Sequence, residues 1–312
     1  MRETMWRQPA DLRGLIADAA AVDAAAERLA SRRVAVVGTG TSWHAANHAV
    51  WFLRAAGIDA VAHQGMDAAL WPDHIRDDDI VLLLSHRNWK RFTSEARDAL
   101  RERDVEVVVV SGQGSDGADV ETVSQETSAA FTASHLGALM RLAQIATALG
   151  AELGELSAVP DAVEAALAGV GPGVVAPRRL LEYTGAGPNQ WTAAEGALKV
   201  RETAYVATEG LSVEQLYHGP SVALTEADAL VALDGGGPGA DRLDAVADAA
   251  EACGVAVYRC AHRELGEQLS VFPLTVEVQR IALEIAEATG ANPDTFGYDL
   301  PGREAAWKPI GL

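Results

Sequence analysis

The chain reads as an α/β protein built from two tandem open parallel sheets, each flanked by helices on both faces. Three observations lead there. Short apolar runs alternate with helical stretches along most of the chain, the pattern of a buried parallel sheet. Two of those runs end in a glycine turn followed by a helix, at 38–42 and at 185–187. The strand–helix–strand pattern over 79–110 returns over 228–258, as a duplication of pattern and not of identity.

In chain order, 11–31 is Ala-rich with helical periodicity, 34–37 a strand and 43–56 a helix. Residues 77–79 turn, 80–84 form a strand, 93–103 a helix and 105–110 the next strand. A polar loop over 111–127 and a long helix over 129–150 close the first half. The division falls near Gly154 to Pro160, giving domains of 1–157 and 158–312. The second half predicts a strand at 180–183, a helix at 191–205, then strand 229–233, helix 241–253 and strand 255–258. A helix at 274–289 follows, and then a polar, irregular tail.

Composition narrows the function. The net charge is −19, so nucleic acid, whose phosphates require a basic face, is a poor partner. The apolar runs are too short to span a bilayer, and residues 1–9 carry no hydrophobic signal region, so no membrane association is expected and the location is cytoplasmic. Cys253 and Cys260 lack metal or redox spacing, and the glycine turns lack the full dinucleotide fingerprint; no metal and no cofactor are expected. Lysine occurs only at 90, 199 and 308, with arginine carrying the other positive charge. Arg-rich coding explains the scarcity, whereas position points to lysines kept for a compact, deprotonatable amine.

The stretch 195–220, E-G-A-L-K-V-R-E-T-A-Y-V-A-T-E-G-L-S-V-E-Q-L-Y-H-G-P, carries most of the chemistry. Its first half is helical, with Glu195, Lys199 and Glu202 at i, i+4 and i+7 on one face; its second half reads as extended up to the turn at Gly219-Pro220. Carboxylates, an amine and the imidazole of His218 are parts for acid–base work. The same spacing also fits a solvated, salt-bridged helix followed by a turn histidine. The turn Gly38-Thr39-Gly40-Thr41-Ser42 aims backbone N–H groups and two hydroxyls at an anion. In the loop Ser85-His86-Arg87-Asn88-Trp89-Lys90, Arg87 and Lys90 either hold an anion or form a solvated basic turn.

These motifs resemble the double-SIS (sugar isomerase) family, most closely the isomerase domain of glucosamine-6-phosphate synthase. The E-G-A-L-K-V-R-E segment, with the His of Y-H-G-P sixteen residues after its last Glu, is similar to that family's E-G-A-L-K-L-K-E and K-H-G-P. G-T-G-T-S-W-H-A-A is similar to its first sugar-phosphate loop, and G-A-G-P-N-Q-W-T-A-A-E-G to the start of its second SIS unit. The resemblance implies two tandem SIS domains acting on a small-molecule sugar phosphate as a homodimer. It implies Glu202 as the base moving a proton between C1 and C2 of an open-chain sugar. His218 would assist ring opening from the neighbouring subunit, and Lys199 would sit beside sugar and base. Gly40, Thr41, Ser42 and Ser85 would hold the phosphate, with Glu195 lining the substrate site; the family's C-terminal lysine lies in an L-A-K-S tail that is not reproduced here, and Lys308 sits at a similar distance from the end.

The departures matter as well. The family's second phosphate loop, S-Q-S-G-E-T, keeps only its first Ser here. No glutamine-hydrolysing domain with an N-terminal Cys is expected in this polypeptide. The remaining expectations are a phosphosugar isomerase or deaminating isomerase, a non-catalytic sugar-phosphate-binding regulator, or an isomerase for a sugar bearing a sulfonate or carboxylate.

Overall fold

The computed structural model describes residues 1–88 and 90–310; Trp89, in the loop after the 80–84 strand, and Gly311 and Leu312, in the tail, lie outside the described residues. The chain divides into two compact units. Among the described residues, the N-terminal unit holds Arg7–Thr127, Ala133–Ser157 and 307–310; the C-terminal unit holds Met1–Trp6, Ser128–Thr132 and Ala158–Ala306.

The first helices are α1 (Arg2–Ala17) and α2 (Ala20–Leu29), where one helix over 11–31 was expected. Met1, Met5, Gln8, Leu12 and Leu15 are all buried, a helical stripe that runs straight through Pro9. The unit then alternates: β1 (Val34–Gly38), α3 (Thr41–Ala55), β2 (Ala60–Gln64), α4 (Gly65–Leu70), β3 (Ile80–Leu84), α5 (Arg91–Glu102), β4 (Glu106–Ser111), β5 (Val120–Glu121) and α6 (Ala133–Ala148). The sheet is parallel in the order β2-β1-β3-β4-β5. Strands β1 and β3 are buried along their whole length. On one face Ala35, Val37, Val81 and Leu83 pack with Ala68, Ala96 and Leu100 from α4 and α5.

Strand β2, helix α4 and the two-residue β5 were not anticipated. β2 reads A-V-A-H-Q and is only half-buried past its first residue, so it lacks the apolar signature of an inner strand. β5 interrupts the segment expected to be loop throughout.

The C-terminal unit contains α7 (Val159–Ala168), β6 (Leu181–Gly185), α8 (Asn189–Ala204), β7 (Thr208–Ser212), α9 (Val213–Tyr217), β8 (Ala229–Asp234), α10 (Ala240–Ala252), β9 (Ala256–Ala261), α11 (Gly266–Leu269), α12 (Val271–Thr289) and α13 (Arg303–Trp307). Its parallel sheet runs β7-β6-β8-β9. The first strand of each unit lies between its second and third, so the two units share one topology. One correction concerns 206–218, expected to be extended. Only 208–212 is strand; Ser212 then accepts the N–H of Gln215 at 3.3 Å and starts α9. The irregular tail also contains α13.

Candidate active site

Helix α8 is seated by contacts that only small residues permit. A Cβ on Gly210 of β7 would lie 2.4 Å from the Ala193 carbonyl oxygen, and one on Gly196 would lie 2.9 Å from Val278 of α12. The Thr208 hydroxyl donates to the Ala197 carbonyl at 2.7 Å, tying β7 to the helix. The helix stops at Tyr205, which adopts a left-handed conformation at φ +59°.

On this helix Glu195, Lys199 and Glu202 form one cluster. Lys199 and Glu195 are fully buried, while the Glu202 side chain keeps 19% exposure. Lys199 Nζ lies 2.5 Å from Glu202 Oε2 and 3.4 Å from Glu195 Oε1. Burial opposes the ammonium, yet the two carboxylates outweigh it and hold the Lys199 pKa above its ordinary value. This corrects one expectation: the amine is fixed as a cation and is not poised to lose its proton. The cluster carries one net negative charge, and its accessible end is Glu202. A carboxylate at the rim of a buried, charge-balanced pair is equipped to accept a proton from carbon.

His218 caps α9 at the surface, with 66% of its side chain exposed. Its Nε2 pairs with Glu214 Oε1 at 2.8 Å, and its ring packs edge-on against Tyr217. Glu214 also accepts from Arg242 Nε at 2.8 Å. Lys308 is exposed in a single helical turn, grouped with the N-terminal unit.

In the N-terminal unit, strand order reverses between β1 and β3, where α/β sheets bind ligands beyond the strand ends. Gly38, Gly40, Thr41, Ser42 and Ser85 all fall at these two ends. A Cβ on Gly38 would come within 2.2 Å of the Ser42 carbonyl oxygen, so only glycine lets the strand meet the helix this closely. Gly40, at φ +60°, is the N-cap residue of α3, and its carbonyl accepts the Trp43 and His44 N–H groups at 2.8 and 3.2 Å. The Ser85 hydroxyl is buried with no hydrogen-bond partner among the described residues.

The loop that follows does not simply present two cations. Arg87 Nη2 donates to the Glu126 carbonyl at 2.9 Å. Lys90, half-buried, supplies the N-cap residue of α5. His86 Nε2 accepts the Glu126 N–H at 3.2 Å, and burial pushes the imidazole down to about 4. Sequence reading gave His86 and Glu126 no role. It also passed over Glu182, a carboxyl in the interior of β6, although one acidic residue inside the run L-L-E-Y was a visible signal. Glu182 is in register with Glu209 of β7, and burial, then that neighbour, push it up to about 8. Among the described residues no group of His, Cys, Asp or Glu side chains is arranged to hold a metal ion. No helix among them is long and apolar enough to cross a membrane.

The architecture is that of tandem sugar-isomerase (SIS) domains. It matches the C-terminal domain of glucosamine-fructose-6-phosphate aminotransferase from Francisella tularensis with TM-score 0.78 at 18% identity, over 94% of this chain and 97% of that one. It matches tagatose-6-phosphate ketose/aldose isomerase from Escherichia coli with TM-score 0.79 at 19% identity, over 95% and 94%. Glucosamine-6-phosphate deaminase from Thermotoga maritima gives TM-score 0.74 at 18% identity, over 94% and 95%. No family model matches the chain. In sequence its homologues are glutamine–fructose-6-phosphate aminotransferases (isomerizing). That of Pyrobaculum aerophilum is 29% identical over 250 residues, 72% of this chain and 41% of the relative. That of Thermococcus kodakarensis is 26% identical over 340 residues, 94% of this chain and 56% of the relative. The chain spans about half the length of the curated relatives it matches.

Proposed function

We propose that the chain is a sugar-phosphate isomerase, or a deaminating isomerase, acting on an open-chain hexose or aminohexose phosphate by proton transfer between C1 and C2. The observation that carries this reading is the cluster on α8: Lys199, buried between Glu195 and Glu202, with Glu202 at its open edge. Glu202 takes the proton from one carbon and returns it to the other. Lys199 stabilises the carboxylate from 2.5 Å and keeps it oriented. Within the N-terminal unit, the first turn of α3 with Gly40, Thr41, Ser42 and Ser85 is the site for an anion such as the phosphate, and Lys90 adds positive charge there.

His218 serves ring opening. Its exposed position on α9 suits delivery to the site of a second copy, so the working form is a cytoplasmic homodimer. Lys308, exposed in its helical turn, is a further candidate amine for the sugar in this reading. Support comes from the fold shared with phosphosugar isomerases and from the aminotransferases' isomerising step, which their names state.

The test is turnover on a panel of fructose 6-phosphate, glucose 6-phosphate and glucosamine 6-phosphate, followed by proton NMR for sugar interconversion and by ammonia release. Conversion of one of them is expected. Binding of a panel member without conversion by the dimer would instead identify a sugar-phosphate-binding regulator.

A further inference from the structure

The loop after β3 is held from behind with unusual thoroughness. The His86 carbonyl accepts the Gly112 N–H at 2.9 Å, and its ring accepts the Glu126 N–H at 3.2 Å. Arg87 donates to the carbonyl of that same Glu126 at 2.9 Å. Both backbone groups of Glu126 are thus taken by consecutive residues of the loop. The Glu126 side chain accepts the Ser134 N–H at 2.7 Å, in the first turn of α6. Helix α6 packs along α3, whose N-terminus is the anion cradle of the proposed site.

The backbone around the loop is shaped to fit. A Cβ on Gly112 would meet the His86 carbonyl at 2.6 Å and its ring at 2.8 Å, so this packing needs a glycine there. Asn88, at φ +50°, donates to the Asp116 carbonyl at 2.7 Å and accepts from Arg97 at 3.2 Å. His86 stays neutral through the physiological range, which leaves Nε2 free to accept and places its proton on Nδ1. At the strand end beside this pinned loop, the buried Ser85 hydroxyl has no hydrogen-bond partner among the described residues.

We propose that His86 and Arg87 are positioning residues: together they pin the loop to Glu126, and so set Ser85 against the α3 N-terminus as an anion donor. Arg87 then acts through Glu126 and does not itself contact the anion. This rests on the phosphate site of the proposed function and assigns the roles within it.

The test is a double-mutant cycle on anion binding, using fructose 6-phosphate and inorganic phosphate as titrants in calorimetry. His86→Phe and Arg87→Leu should each weaken binding by about tenfold. Because both release the same segment, the double variant should weaken binding by no more than about twentyfold, well short of the roughly hundredfold that additive losses would give. Each loss should also be equal for phosphate at pH 5.5 and pH 8, since a positioning residue does not respond to the charge of the ligand. Additive losses, or an Arg87→Leu loss several-fold larger for the dianion, would mean Arg87 binds the anion directly and would overturn the assignment. Hydrogen exchange at the Gly112 and Glu126 amides, which should accelerate in both variants, reads the pin without any ligand. If those amides keep native protection, the pin itself is refuted. If native protein binds neither titrant while the amides accelerate as expected, the phosphate site falls and the pin stands without a ligand to serve.

Discussion

Replacing Glu182 by Gln should stabilise the protein at neutral pH and leave it nearly unchanged in acid. Glu182 is 1% exposed, its Oε1 has no hydrogen-bond partner among the described residues, and Glu209 lies in register on the adjacent strand. Burial first, and Glu209 second, raise its pKa from 4.5 to about 8, against a smaller opposing effect of Arg201. Between those values the folded chain keeps a proton that the unfolded chain has released. Stability from this group is therefore fully present below pH 4.5 and is lost as pH rises towards 8. At about 1.4 kcal/mol per pH unit, the loss by pH 7 is about 3 kcal/mol. Gln has the same shape and does not titrate. The fixed cost of burying its amide cancels when the native–variant difference is compared across pH. Urea denaturation at pH 5, 6, 7 and 8 should show that difference growing in favour of Gln up to pH 8. A difference that stays flat over this range would refute a protonated Glu182.

Lys199→Met should cost about 3–5 kcal/mol at pH 7, because it strands Glu195 as a buried, uncompensated charge. The deficit should shrink as pH falls and the stranded carboxyl takes up a proton, which denaturation at pH 5 and pH 7 would show. Gly38→Ala should cost about 3 kcal/mol, since its Cβ meets the Ser42 carbonyl; Gly14→Ala, with nothing within 4 Å in α1, should gain about 1 kcal/mol, and thermal melts of the pair check the contrast. His218→Asn and Glu202→Gln should each abolish turnover alone. After co-refolding, roughly a quarter of native activity should return if one subunit's histidine serves its partner's site, and no recovery would place His218 outside the partner's chemistry.

Most of the fold was legible because inner strands such as β3 and β4 are continuous apolar runs, whatever their surroundings. β2 was not, because an edge strand needs only one buried residue, and β5 is too short to carry a period. The α8 cluster was visible as i, i+4, i+7 spacing, but its burial was not. That burial is imposed by β7 and α12 packing against α8, and it sets Lys199, expected as a deprotonatable amine, between two carboxylates that hold its pKa above the ordinary value. Arg87 shows the converse limit: its charge was plain, while its hydrogen bond to the Glu126 carbonyl depends on a segment thirty-nine residues away.

The most direct test is hydrogen exchange at carbon. Native protein incubated with fructose 6-phosphate or glucosamine 6-phosphate in deuterated water should place deuterium at the carbon next to the carbonyl, and Glu202→Gln, folded and still binding the sugar phosphate, should place none. Deuterium incorporation by the Gln variant at the native rate would contradict Glu202 as the base.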